Sequence, residues 1–299
     1  MRGSRLLLVL ALLAPAAAHA RELRIGGAAI EVKIAAAEKT ITDAELMGWV
    51  ERAARAVTTY FGRFPVPKLS VAIGIDDRRG PHGGVTNGWP EPNIRIRVGR
   101  ACPPGSLDRD WVLVHEMTHT SLPNVDRDHQ AWAEEGLATY VEPIARLRAG
   151  QLGREEVWGD MVHDMPQGSP EAGDQGLDRT PTWGRTYWGG AQFWLVADVE
   201  IRRRTQTRLG LEDALKGIQA AGGDVSVDWP LDRCLAVADR AVGVQVLAPL
   251  YAKMKEAPAP VDLPALWAQL GIRVTDGRVT FDDAAPLASV RRAIETGRP

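Results

Sequence analysis

Apolar residues recur with two different periods along the chain, and the change falls near residue 105. Before it, residues 30–34 (IEVKI) alternate apolar with charged positions, the two-residue repeat of a half-buried strand. Residues 69–75 and 93–98 carry further strand patterns. In the second of these, arginines alternate with Ile94, Ile96 and Val98, which suits an edge strand with one wet face. The glycine-rich stretch 83–88 between them reads as a flexible connection. Thr42 and Glu45 carry the signature of a capping box, and Leu46, Trp49, Val50, Ala53, Val57 and Tyr60 follow at helical spacing.

Beyond residue 105 the helical period dominates. The spacing predicts helices over 108–121, 130–148, 154–163, 185–205, 211–221, 231–239, 244–254 and 262–269. Stretch 164–184, rich in Gly, Pro and Asp, has no period and is expected to form a lid or rim. Asp276 and Gly277 separate two short strand patterns, as in a terminal hairpin. The expected fold is α+β, with a sheet-rich part over 21–104 and a helical part with a small hairpin over 105–299.

Residues 1–20 are set apart as a signal peptide. Arg2 and Arg5 precede the apolar run 6–13, and Ala18-His19-Ala20 offers a small-residue cleavage site. The expected location is therefore periplasmic or secreted. No other stretch approaches the roughly 20 apolar residues of a membrane helix, so no membrane span is expected. The balance of 36 Lys and Arg against 38 Asp and Glu gives no reason to expect nucleic acid as a partner. The run Arg202 to Arg204 reads as a solvated helix end, where cations suit the dipole. Cys102 and Cys234 suit an oxidising compartment, where either one long-range bridge or two buried thiols can result. The bridge is the expectation carried forward.

The chemistry concentrates in residues 115–140, HEMTHTSLPNVDRDHQAWAEEGLATY. On a helix, His115 and His119 share one face and can reach one ion. Zinc accepts neutral imidazole, and a catalytic zinc keeps one position for water. Glu116 is placed to take a proton from that water. A third ligand six residues beyond His119 fails, because Val125 stands there. His129 follows Asp126 and Asp128 and reads as a solvated loop residue. Glu134 and Glu135 remain. The apolar stripe of Leu137, Val141 and Ile144 does not decide which of the two faces inward.

In these residues the sequence resembles the gluzincin peptidases. Their His-Glu-x-x-His helix is followed by a second helix with a Trp-x-x-Glu-Gly-x-Ala motif, matched here by Trp132, Glu135, Gly136 and Ala138. The resemblance implies that His115, His119 and Glu135 hold one zinc and that Glu116 is the general base. It also implies a thermolysin-like two-lobed zincin fold, a mixed sheet lobe followed by a mainly helical lobe. Residues 186–202 look like a helix of glycyl-aminopeptidase relatives, in which a tyrosine before a glycine stabilises the tetrahedral intermediate; Tyr187 holds that place. Read from its surroundings alone, Tyr187 suits an aromatic core among Trp183, Trp188, Phe193 and Trp194. The adjacent Gly189 and Gly190, like Gly136, suggest close approach of something to the backbone. No counterpart is evident of the Gly-Ala-Met-Glu-Asn segment that anchors a substrate amine in the large aminopeptidases. The function implied is an exported zinc peptidase acting on peptide or protein substrates. The alternative is a non-catalytic zinc- or peptide-binding module retaining the fold.

Overall fold

The computed structural model describes residues 19–297; the expected signal peptide lies outside the described residues up to residue 18. Strands β1 (His19–Ile25), β2 (Ala28–Ile34), β3 (Lys68–Asp76), β4 (Pro81–Asn87) and β5 (Asn93–Gly99) form one mixed sheet in the order β1-β2-β3-β5-β4. The two inner pairings, β2 with β3 and β3 with β5, are parallel. Register places Val32 beside Val71 and Val71 beside Ile94, so one face is a continuous apolar layer. Helix α1 (Asp43–Phe61) begins at the Thr42–Glu45 capping box and buries its expected apolar face.

Two readings of this lobe change. Residues 93–99 are an inner strand, hydrogen-bonded on both sides, although Arg95 and Arg97 do keep a wet face. The edge belongs to β4, built from the glycine-rich stretch taken for a loose connection. A bulge between His82 and Gly84, with Gly83 at φ +55°, bends this edge.

The helical lobe follows: α2 (Val112–His119), α3 (Arg127–Arg148), α4 (Arg154–Asp164), α5 (Gly190–Arg204), α6 (Leu211–Ala220), α7 (Leu231–Val242), α8 (Leu247–Met254) and α9 (Leu263–Leu270). A hairpin of β6 (Ile272–Thr275) and β7 (Arg278–Phe281) turns at Asp276 and Gly277, as the sequence suggests. Helix α10 (Ala288–Thr296) closes the chain and has no counterpart among the expected helices. Stretch 164–184 is pinned rather than loose: the buried Arg185 pairs with Asp174 at 2.7 Å and donates to the Gly168 carbonyl. Among the described residues, no helix is long and apolar enough to cross a membrane.

Two further expectations are corrected. Cys102 and Cys234 are free thiols. Cys102 follows β5 and donates its N–H to Thr40 beside α1, whereas Cys234 is buried in α7 between α6 and α8. Their neighbourhoods are separate, and burial pushes the Cys234 thiol up to about 12. Arg202 is no solvated helix end. It is 1% exposed, because it lies one turn beyond the buried Asp198 and pairs with it.

Candidate metal centre

Helix α2 is short, and its start is fixed from outside. Asp110 accepts the N–H groups of Val112 and Leu113 at 3.2 and 3.1 Å, and the Trp49 indole of α1 at 2.9 Å. Two otherwise orphaned donors are thereby satisfied, and α2 is tied to the sheet lobe. Helix α3 starts at Asp126, whose side chain accepts from Asp128, and kinks at Gln130 before Trp132. Trp132 packs on Phe193 and donates to Asp178 at 2.7 Å, which anchors the turn carrying Glu135.

His115, His119 and Glu135 converge. Glu135 Oε2 lies 3.2 Å from His115 Nε2 and 3.5 Å from His119 Nε2, and one ligand atom from each residue falls within 4.8 Å of the others. Zinc bonds of about 2.0–2.2 Å in a tetrahedron separate ligand atoms by about 3.3–3.6 Å. The donor set therefore suits zinc, and so do the two separations to Glu135. Burial raises the Glu135 pKa, but hydrogen bonds from both histidines outweigh it and hold the carboxyl well below the usual range. Burial also pushes His115 down toward neutral imidazole, the form that binds metal. His119, despite its burial, is raised by the same Glu135 carboxylate.

Glu134 and Glu135 part company here. Glu135 turns Oε2 to the histidines and Oε1 to Arg127, at 3.2 Å. Glu134 is buried, and its Oε1 accepts the Val125 N–H at 3.0 Å. His129 lies in the first turn of α3, pairs with Asp126 and stays exposed, away from the centre.

Glu116 and Tyr187 stand on either side of the triad. Glu116 shares a small cavity with His119 and Glu135 beneath β4. A Cβ on Gly84 would come within 2.6 Å of the Glu116 carboxyl, so only glycine lets the edge strand pass so close. Thr86 Oγ1 lies 2.6 Å from Glu116 Oε2. The Tyr187 ring stacks on His115 with centroids 6.4 Å apart. Its hydroxyl is raised in pKa by burial and by the charges of Glu135 and Glu116. Tyr187 sits in a π-helical turn, Arg185–Gly189, that leads into α5. Thr86 and Arg127 have no signal in the sequence, since each acts through a contact made only in the folded chain.

The close approach implied by the glycines is helix against helix. A Cβ on Gly136 would lie 2.3 Å from the Gly190 backbone, and one on Gly190 would lie 2.2 Å from the Trp132 carbonyl.

No family model matches the chain, and neither does any curated protein. Solved structures match in fold. An aminopeptidase N family protein from Idiomarina loihiensis aligns with a TM-score of 0.64 at 13% identity, over 86% of this chain and 50% of that one. A mutant M1 zinc metallopeptidase from Deinococcus radiodurans gives 0.53 at 16% identity, over 82% and 52%. A mutant from the same organism bound to a Tyr-Ser-Ala substrate gives 0.52 at 15%, over 83% and 54%. The chain spans about half the length of these proteins. The fold is α+β and matches that of M1 peptidase structures.

Proposed function

We propose that the chain is an exported zinc-dependent peptidase. The observation that carries this reading is the convergence of His115, His119 and Glu135 on one point, with Glu116 and Tyr187 flanking it. Zinc held by these three residues would supply Lewis-acid polarisation and acidify water. Glu116 has no role as a fourth ligand in this scheme; its carboxylate takes the proton from the attacking water. As the C–O bond forms and the C–N bond breaks, the same carboxyl returns that proton to the leaving amine nitrogen. Tyr187 donates its hydroxyl hydrogen to the oxygen on which charge develops. Gly84 and Thr86 hold the Glu116 carboxyl at that position.

The peptide lies along β4, whose outer edge leads past Glu116. Val85, Trp111 and Trp183, among the large apolar side chains left exposed, line the cavities on the two sides of the centre. Such patches are typical of binding grooves. Export rests on the N-terminal residues 1–20, and the role of Tyr187 on the likeness of residues 186–202 to glycyl-aminopeptidase relatives.

The test is incubation of the zinc-loaded protein with a peptide pool, with cuts mapped by mass spectrometry and bound zinc quantified. We expect cleavage by the wild type and none by Glu116→Gln, with one zinc per chain in both. Zinc at one equivalent without cleavage by the wild type would favour a non-catalytic binding module. Loss of zinc from a folded Glu116→Gln variant would remove Glu116 from the role of base.

A further inference from the structure

A cavity of about 740 Å³ opens on the His115 side of the centre. Helices α3 and α4 form its walls, while Trp111, His115, Tyr187 and Trp183 surround its mouth. The cavity on the Glu116 side is far smaller, about 120 Å³. A peptide bond held between Glu116 and Tyr187 therefore has one neighbouring side chain that can enter only the larger space.

The lining says which side chain that is. Glu156, Asp160 and Asp164 recur at every fourth position of α4, so all three share one face, and that face borders the cavity. Like charges at this spacing destabilise a helix, so the helix alone does not account for the arrangement. Among the described residues, no cation pairs with Glu156 or Asp160. Three other acids of the lining have partners: Asp108 with Arg52, Glu142 with Arg146, and Asp164 with His163 of the same helix at 2.8 Å. Arg109 is the remaining cation there. Glu156 and Asp160 thus leave the cavity with negative charge to spare. Burial and the neighbouring charges of Glu156 and Asp164 raise the Asp160 carboxyl and outweigh the opposing charge of His163. Leu152, Val157 and Met161 add apolar wall beside these acids. A long aliphatic stem ending in a cation fits both features, and the indole faces of Trp111 and Trp183 at the mouth favour it further.

We propose that this cavity is a specificity pocket for a lysine or arginine side chain of the residue next to the cleaved bond. The proposal rests on the peptidase reading for the word cleaved, but the pocket's preference for a cation can be measured without turnover. The zinc-loaded full chain is titrated with N-acetyl-lysine amide and with N-acetyl-norleucine amide, which has nearly the same stem and no charge. Saturation-transfer NMR and the fluorescence of the exposed Trp111 and Trp183 report binding. We expect the lysine compound to bind about tenfold more tightly, the ratio expected of about 1.4 kcal/mol of charge recognition. That ratio should fall toward unity in Glu156→Gln/Asp160→Asn, whose substituted side chains are exposed and do not hold the fold. In the peptide pool, wild-type cuts should flank Lys and Arg, and the double variant should lose this bias. Equal binding of the two amides, or a ratio unchanged in the variant, overturns the pocket. Cleavage without bias for Lys or Arg also overturns it and leaves the peptidase reading intact. Lysine preference with no cleavage of any peptide retains the cation pocket and retires the peptidase reading.

Discussion

Glu134 and Glu135 are chemically identical neighbours, and about 100° of helical rotation gives them different work. Glu135 presents one oxygen to both histidines; Glu134 satisfies a buried backbone N–H at Val125. Glu135→Ala should therefore lose bound zinc after dialysis while the chain stays folded. Glu134→Ala should retain zinc near one equivalent but lose about 1–3 kcal/mol of stability, because it strands a buried donor. Metal analysis with denaturant unfolding on both variants checks this, and the reverse pattern would move the site by one residue. How far this was legible is specific. The periodicity of Leu137, Val141 and Ile144 left the choice open, and only the motif register from Trp132 to Gly136 singled out Glu135. Arg127 on the outer oxygen of Glu135 and Thr86 beside Glu116 were invisible, because neither contact follows a local period.

At the scale of elements, the centre depends on how closely α3 and α5 cross. Glycine in a helix costs about 0.5–1 kcal/mol relative to alanine, so Gly136 and Gly190 are retained against propensity. Their backbones touch where any Cβ would collide, and Glu135 precedes one of them directly. Gly136→Ala must push the helices apart; we expect a loss of about 1–3 kcal/mol or more. The same displacement carries Glu135 away from the histidines, so zinc affinity should drop as well. Gly48 in α1 is the control, since a Cβ there meets only the flexible end of Arg52 at 3.7 Å. Gly48→Ala should raise stability by about 0.4–1 kcal/mol and leave zinc binding alone. Thermal unfolding and zinc titration of the pair decide it; equal effects would mean that the crossing is not what these glycines serve. The glycine pattern announced a close approach without saying to what. In β4 the same residue type misled, since Gly83 and Gly84 serve an edge strand passing over Glu116 and leave no alternation to read. Helix α10 escaped because beyond residue 270 only the two short strand patterns about Asp276 and Gly277 stand out.

Over the whole molecule, the helices behind the centre are held by a buried charge network that the sequence disguised. Arg202 donates to Asp198 at 2.8 Å and to Glu212 at 2.6 Å, and Tyr140 of α3 donates to Asp198 at 2.8 Å. Arg148 reaches Glu212 from α3 and lies over the Tyr60 ring of α1, 4.6 Å from its centroid. Four helices, α1, α3, α5 and α6, therefore meet around two arginines and two carboxylates, all nearly removed from water. The run Arg202 to Arg204 looked like a solvated end because composition cannot tell which arginine of three points inward. The deciding residue is Asp198, one turn back on α5, which turns only Arg202 toward the core. Replacing a buried pair by apolar residues can be neutral, but removing one partner leaves uncompensated charge and costs about 3–5 kcal/mol. Arg202→Met strands Asp198 and Glu212 in this way and should lose that amount. Arg203→Met, on a side chain about half exposed and paired with Glu200, should change stability by no more than about 0.5 kcal/mol. Denaturant unfolding of the two variants side by side makes the comparison. A loss at Arg202 no larger than that at Arg203 would return the whole run to a solvated helix end and leave apolar packing alone to hold these four helices together.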